Sequence, residues 1–365
     1  MPSLNGSSAR PWLLCISAAV ATAVCLLLAG CGSNYSVPSP PPPPAPIGHA
    51  YVVTPNSLYA FQIAASNGAL SLVNVPSGAP GGSAIAADGQ GNHVYALTSG
   101  GQIFGYTISH SDGSLTNVAG SPWGGAGVGV AFLAVSSAGT DLYVPAVQDL
   151  VVVPYAIDST GALTIGLQQA TPAAPQTATI DPPAHFLYVP MGSAGTQLFQ
   201  IVGGGALVSV KTIPPMGQGK ALYVAINPAD TFAYISDGLT AVAAFSINAS
   251  TGDLTPLAGS PFTAGPGPSA MAMTPNGKFL YVATTPGVVG FAANADGSLT
   301  SLGSPQGFST PPVALSIDVT GTYLYILSVN SGRVAIDKID PNTGLLTAQP
   351  SVALPTVPSG IVTTP

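Results

Sequence analysis

Residues 268–282 read Pro-Ser-Ala-Met-Ala-Met-Thr-Pro-Asn-Gly-Lys-Phe-Leu-Tyr-Val. Two short apolar runs flank Thr274-Pro275-Asn276-Gly277, where proline presets the first turn angle and Asn-Gly accepts the positive φ of a tight hairpin. Working outward, Val288 to Ala292 supplies a third strand, Ala295-Asp296-Gly297 a second tight turn, and the run from Leu299 a fourth strand. The strands are apolar without alternation, as are Leu150 to Val153 and Tyr323 to Ile326, which predicts sheets buried on both faces.

The same pattern recurs along the chain. Tyr51, Tyr95, Tyr143, Tyr188, Tyr234, Tyr281 and Tyr325 follow one another at intervals of 44, 48, 45, 46, 47 and 44 residues. A Gly-x-Leu keeps the same beat at Gly68, Gly113, Gly161, Gly205, Gly252, Gly297 and Gly344, 16 to 19 residues after each tyrosine. Seven repeats of four short strands predict an all-β, seven-bladed β-propeller with four antiparallel strands per blade. Tyr51 has no inner strand before it, whereas Pro358 to Pro365 matches Pro268 to Pro275 position by position. Residues 359–365 are therefore expected to complete the first blade in a one-plus-three closure that leaves no open inner edge.

Outside the repeats, residues 1–30 hold a single charge, Arg10, and an apolar run from Leu13 to Leu28 that ends in Leu28-Ala29-Gly30-Cys31. This resembles a bacterial lipoprotein signal, which implies cleavage before Cys31, lipidation of Cys31 and attachment to the envelope membrane. Gly32 after the cysteine resembles lipoproteins sent to an outer membrane. Residues 31–48 centre on Pro38-Ser39-Pro40-Pro41-Pro42-Pro43-Pro44-Ala45-Pro46, expected to be a stiff spacer of roughly 25 to 30 Å. Residues 49–365 form the propeller domain, expected to be monomeric. Cys15, Cys25 and Cys31 are the only cysteines, so the propeller has no disulfide and no thiol chemistry.

Charge narrows the function classes further. Beyond residue 30 there are four lysines, Arg333 and thirteen aspartates, a net charge of 5 − 13 = −8, and glutamate is absent throughout. No basic stripe exists for nucleic acid, and long-range steering of charged ligands is weak.

Gly277-Lys278-Phe279-Leu280-Tyr281-Val282, the hairpin Asp340-Pro341-Asn342-Thr343-Gly344 and Ala258-Gly259-Ser260-Pro261-Phe262, echoed at Ala119 to Trp123, resemble the lactonase-type seven-bladed propellers. That family includes 6-phosphogluconolactonase and many exported YVTN-repeat proteins. The resemblance covers residues 49–365 and implies a site at the axial mouth, fed by the segments leading into each inner strand, often Gly-Pro-Arg-His. Here those segments read Gly82-Ser83-Ala84, Val130-Ala131-Phe132, Pro175-Gln176-Thr177, Pro268-Ser269-Ala270, Pro312-Val313-Ala314 and Pro358-Ser359-Gly360, with Gly219-Lys220-Ala221 near the fifth. None carries Arg or His. A phosphorylated sugar acid needs several cationic donors, so 6-phosphogluconolactone is a poor fit.

Ser83, Gln176, Lys220, Ser269 and Ser359 are the expected ligand-binding residues. Lys220, Asp237, Asp149 and Arg333 are the candidate catalytic charges, although Lys220 and Asp237, placed on one blade, can equally be an exposed ion pair. His49, His93, His110 and His185 fall at the opposite end as turn and strand-end residues. Pro215 to Ala221 resembles a phosphate loop only superficially, and Asp158 to Gly161 and Asp340 to Gly344 are hairpin turns rather than calcium loops. No metal or cofactor is expected. The sequence thus predicts a lipid-anchored module that binds a neutral glycan or envelope protein without catalysis. The alternative is a lactonase for an uncharged lactone, with Lys220 polarising the carbonyl and Asp149 or Asp237 orienting water.

Overall fold

The computed structural model describes residues 45–127, 129, 132–216 and 219–365, so the signal, Cys31 and most of the proline spacer lie outside the described residues. Within this compact unit, seven small antiparallel sheets form the blades, and the one short helical turn is Gly203–Gly205. Each sheet places one tyrosine of the repeat on its second strand, counting outward from the axis. Those second strands are buried along their length, as His49–Val53 and Phe279–Thr284 show. Outermost strands are largely exposed instead, with Leu115 buried and Thr116 and Asn117 exposed. The unbroken apolar reading therefore holds for the middle strands, which are packed between neighbouring blades.

The ring closes as the sequence predicts. Gly360–Thr364 pairs with His49–Val53 over five residues, His49–Val53 pairs onward with Leu58–Ile63, and Leu58–Ile63 with Leu70–Val73. Hydrogen bonding already begins at Ile47, whose N–H donates to Ile63 O at 3.1 Å.

Blades 3, 5 and 6 differ from the four-strand expectation by an extra short strand, Gln169–Ala170, Phe262–Thr263 and Gln306–Gly307, each paired with the third strand. In blades 4 and 7 the outer strand instead runs on for eight residues through a bulge, Ala206–Ile213 and Leu346–Ala353. Either solution extends cover to both ends of the third strand. The Ala-Gly-Ser-Pro-aromatic motif performs this at two blades: Ser121 and Ser260 accept from Gly105 and Ala244 N–H at 3.1 and 2.8 Å, and Trp123 bridges Ile103.

Neighbouring blades are joined by the two sequence markers themselves, in a pairing across repeats. Each tyrosine hydroxyl donates to the glycine carbonyl of the next blade's Gly-x-Leu: Tyr51 to Gly113, Tyr95 to Gly161, Tyr143 to Gly205, Tyr188 to Gly252, Tyr234 to Gly297 and Tyr281 to Gly344, at 2.7 to 3.1 Å. Tyr325 returns to Gly68 at 2.9 Å and completes the circle. These rings are at most 1% exposed, so burial raises every one of these phenols, Tyr234 to about 12. Each glycine has positive φ and lies under the residue two before the tyrosine: His49 over Gly113, His93 over Gly161, Asp141 over Gly205, Phe186 over Gly252. Only glycine allows that approach, since a Cβ would overlap the covering side chain. Two of the four histidines are thus packing elements of the blade seams.

Candidate functional site

The inner strands begin around one axial mouth. There, Ser83 to Ile85, Phe132, Gln176, Thr177, Leu222, Tyr223, Ser269, Ala270, Val313, Ala314 and Ser359 to Ile361 line a cavity of about 320 Å³. One lining segment comes from each blade because each inner strand starts at the same end of the sheet. The sequence had placed Ser83, Gln176, Ser269 and Ser359 there, and the structure brings these four together.

Most hydroxyls on this lining are spent on the ring. Ser83 donates to Leu97 O at 3.1 Å, Ser269 to Ala283 O at 3.4 Å and Thr177 to Leu222 O at 3.1 Å. Ser359 donates to Gly82 O at 2.5 Å and also reaches Val53 O at 3.2 Å. With its proton directed into the backbone, such a hydroxyl offers a ligand mainly lone pairs. Gln176 donates from Nε2 to Ala174 O at 3.0 Å and is otherwise exposed.

Tyr223 stands apart. Its ring meets Phe132 edge-on at 6.0 Å, and its hydroxyl has no hydrogen-bond partner among the described residues. Burial raises this phenol, so it stays protonated at neutral pH and can donate. By surface area the side chain is half-buried, because the cavity leaves one side of it open. Sequence reading missed Tyr223, yet a signal existed. Aligning the turn Asn227-Pro228 on Thr274-Pro275 puts Leu222 at the position of Ser269 and Tyr223 at that of Ala270.

Lys220 consequently does not lead into the fifth inner strand, which starts at Tyr223, and it does not line the axial cavity. It precedes Leu222 by two residues, and its N–H donates to Asp237 O at 2.9 Å. Its side chain is exposed and helps wall a separate, nearly filled cleft with Pro214, Met216 and Asp237. Asp237 Oδ1 accepts from the N–H groups of Leu239, Thr240 and Ala241 and so closes its own turn. No ion pair joins it to Lys220; the pair formed between blades 4 and 5 is Lys211 with Asp253, at 2.6 Å. Asp149 lies beside Gly127, and Arg333 is exposed at the start of its strand. None of the four candidate catalytic charges therefore lines the axial cavity, and the cleft that Lys220 and Asp237 share is a separate one.

The remaining acidic turns are consumed locally. Asp158 Oδ1 accepts from Thr160 and Ala162, and Asp340 Oδ1 from Asn342 and Thr343, as the hairpin reading predicts. His110 bonds Asn92 at 3.1 Å, and His185 packs against Phe186.

Residues 46–360 match the family model described as Lactonase, 7-bladed beta-propeller. The 6-phosphogluconolactonase of Yersinia pestis (strain Pestoides F) is 28% identical over 203 residues, covering 52% of this chain and 61% of that protein. That of Pectobacterium carotovorum subsp. carotovorum (strain PC1) is 31% identical over 130 residues, 33% of this chain and 39% of the relative. Both alignments span less than two thirds of those relatives' own length. In three dimensions, the periplasmic gluconolactonase of Pseudomonas aeruginosa superposes with a TM-score of 0.70 at 16% identity, covering 87% of this chain and 99% of that one. A Lactobacillus plantarum protein does so at 0.73 and 17% identity, with 87% and 99% coverage. At such identities these superpositions establish the shared fold.

Proposed function

The chain belongs to the lactonase family of seven-bladed β-propellers, and from that premise we propose that its axial cavity binds an uncharged, hydroxyl-rich molecule rather than a phosphorylated one. The observation that carries this reading is the lining itself. Among the described residues it holds no Lys, Arg, His or Asp, and it offers serine and threonine lone pairs, the Gln176 amide and the Tyr223 phenol. A sugar-type ligand supplies the hydroxyl donors that such acceptors need. A phosphate entering the same cavity would lose its hydration with no cation in return.

Binding without turnover follows from the same inventory. A protonated phenol can stabilise the oxyanion formed from a lactone carbonyl, yet hydrolysis also needs a base for the attacking water, and there is none among the described residues of the lining. The second reading, hydrolysis of an uncharged lactone, is favoured by the family match and by a structural relative named for a neutral sugar lactone. Tyr223 would then be the donor to the carbonyl oxygen.

Titration of residues 45–365 with neutral sugar lactones, the parent sugars and 6-phosphogluconolactone, read by calorimetry and by proton release, tests both readings. Saturable binding of neutral ligands is expected, weakened about tenfold by Tyr223→Phe and unchanged by Lys220→Ala. Proton release that disappears in Tyr223→Phe selects the second reading. Turnover of 6-phosphogluconolactone sinks the neutral-site proposal.

Attachment to the envelope through a lipidated Cys31 belongs to the same proposal, supported by residues 28–31 and by a periplasmic family relative. Metabolic labelling with an alkyne fatty acid should mark the chain and fail with Cys31→Ala; label retained in that variant would refute the anchor.

A further inference from the structure

The residue that pairs with the position before each repeat tyrosine is aromatic in six blades. Ala50 faces Phe61, Val94 faces Tyr106, Leu142 faces Tyr155, Leu187 faces Phe199, Ala233 faces Phe245 and Leu280 faces Phe291. In the seventh blade Leu324 faces Asp337. All six aromatic residues are at most 3% exposed, and each shares an apolar cluster with the tyrosine of the preceding blade, as Tyr155 does with Tyr95 and Phe61 with Tyr325. Asp337, 2% exposed, occupies the corresponding slot at the seam of blades 6 and 7, where Phe279, Tyr281, Val288, Leu324, Ile326 and Ile339 form the cluster.

A carboxyl group in that slot has little to hold it. Neither of its oxygens has a hydrogen-bond partner among the described residues, and Oδ2 is completely buried. The titratable groups on the elements around the seam include Tyr281 and Lys278 on blade 6, and Asp318, Tyr323, Tyr325, Lys338 and Asp340 on blade 7; Asp318 accepts from the N–H groups of Thr322 and Tyr323. Tyr281 is engaged by Gly344 O, and Tyr323 and Tyr325 donate towards blade 1, to Ala65 and Gly68. Lys338 is exposed, and Asp340 closes its own hairpin. Burial is the one cause acting on Asp337, and it pushes the carboxyl up to about 6.

We propose that Asp337 makes the seam between blades 6 and 7 an acid-closed joint, tight while the carboxyl keeps its proton and loosened when it ionises. An ionised carboxylate buried without a partner is unstable there, so the seam admits water or opens. The direction is that of a raised acid: between its ordinary value near 4 and about 6 the folded chain holds a proton that the unfolded chain releases. Stability from this group therefore falls as pH rises through that window and stays low above it.

Asp158 and Asp340 act the opposite way, held low by hydrogen bonds within their own hairpin turns, while Asp181 and Asp230 are raised by burial. The test is thus a difference between variants rather than the profile of one protein. Asp337→Asn keeps the shape and removes the titration, and Asp337→Phe installs the residue type of the other six blades. At pH 7.5 Asp337→Asn is expected to raise Tm by about 5 °C, with most of the gain gone at pH 4.5. Hydrogen exchange at pH 8, corrected for intrinsic rate, should then be faster in the wild type than in Asp337→Asn across 279–284 and 323–328, and equal at pH 5. If the Tm difference is the same at both pH values, or if exchange in these strands ignores the substitution, the joint does not exist. Should Asp337→Phe fail to fold because the slot has narrowed, the Asn comparison alone decides.

Discussion

Deletion of residues 359–365 is expected to abolish the cooperative unfolding transition of the domain. Five residues of His49–Val53 would lose their partner strand, exposing a central edge whose N–H and C=O groups were all paired. Contacts in three blades go at once. Ser359 N–H donates to Val53 O at 2.8 Å and its hydroxyl to Gly82 O, while Thr363 Oγ1 reaches Ile317 O at 2.6 Å and Ser316 Oγ at 3.0 Å. Ile361 is removed from the cluster that holds Phe61 and Tyr325. The summed loss is on the order of 5 to 10 kcal/mol, comparable with the whole stability of a domain. Circular dichroism melts would show a broad, non-cooperative signal, partly restored by millimolar amounts of the peptide covering 358–365. A truncated chain that melts like the intact one refutes closure by this strand.

The second large effect is expected at the glycine under each seam. Gly252 has φ 71°, and a Cβ there would lie 2.7 Å from Phe186 Cδ1 and 3.1 Å from Leu198 Cδ1, while Tyr188 donates to its carbonyl at 2.8 Å. Alanine must then either leave the left-handed region, moving the carbonyl off the hydroxyl, or displace the ring of Phe186. The left-handed strain costs about 1 to 2 kcal/mol and the overlap about 1 to 3 more. Tyr188→Phe removes only the hydroxyl and leaves the carbonyl unsatisfied, about 1 to 3 kcal/mol. Urea titration of both single variants and the double should give Gly252→Ala the larger loss. The double should be milder than the sum, because a shifted carbonyl has already lost its donor. Simple additivity would show that the hydroxyl and the glycine stabilise the seam independently.

What could be read in advance and what could not divides along physical lines. Turn chemistry is local: Pro-Asn-Gly and Asp-Gly need their conformations wherever they stand, so the strands and turns of one repeat were legible from residues 268–299 alone, and the repeat count from the recurrence of its tyrosine and Gly-x-Leu along the chain. The closing strand was legible because Ser359 to Pro365 copies an inner strand found elsewhere. The fifth lead-in was misplaced because Lys220 attracted attention as a charge, whereas the position is set by spacing from the Asn227-Pro228 turn, and spacing gives it to Leu222 and Tyr223. Charge without geometry misled for Asp237 as well, a turn-closing carboxylate rather than a partner of Lys220.

By itself the sequence determined the ring: seven tyrosines, seven glycines, four strands per repeat and a final strand that belongs to the first blade. Only the tertiary structure decided what those residues do to one another. Tyr143 and Gly161 lie 18 residues apart in one repeat, yet the hydroxyl of Tyr143 bonds Gly205 in the next, 62 residues on. That choice cannot be made locally, since a strand and the hairpin after it share one sheet and cannot face each other. A blade's face is met by the neighbouring blade, so the packing around tyrosine, glycine, Asp337 and the neutral axial lining exists once the blades stand side by side.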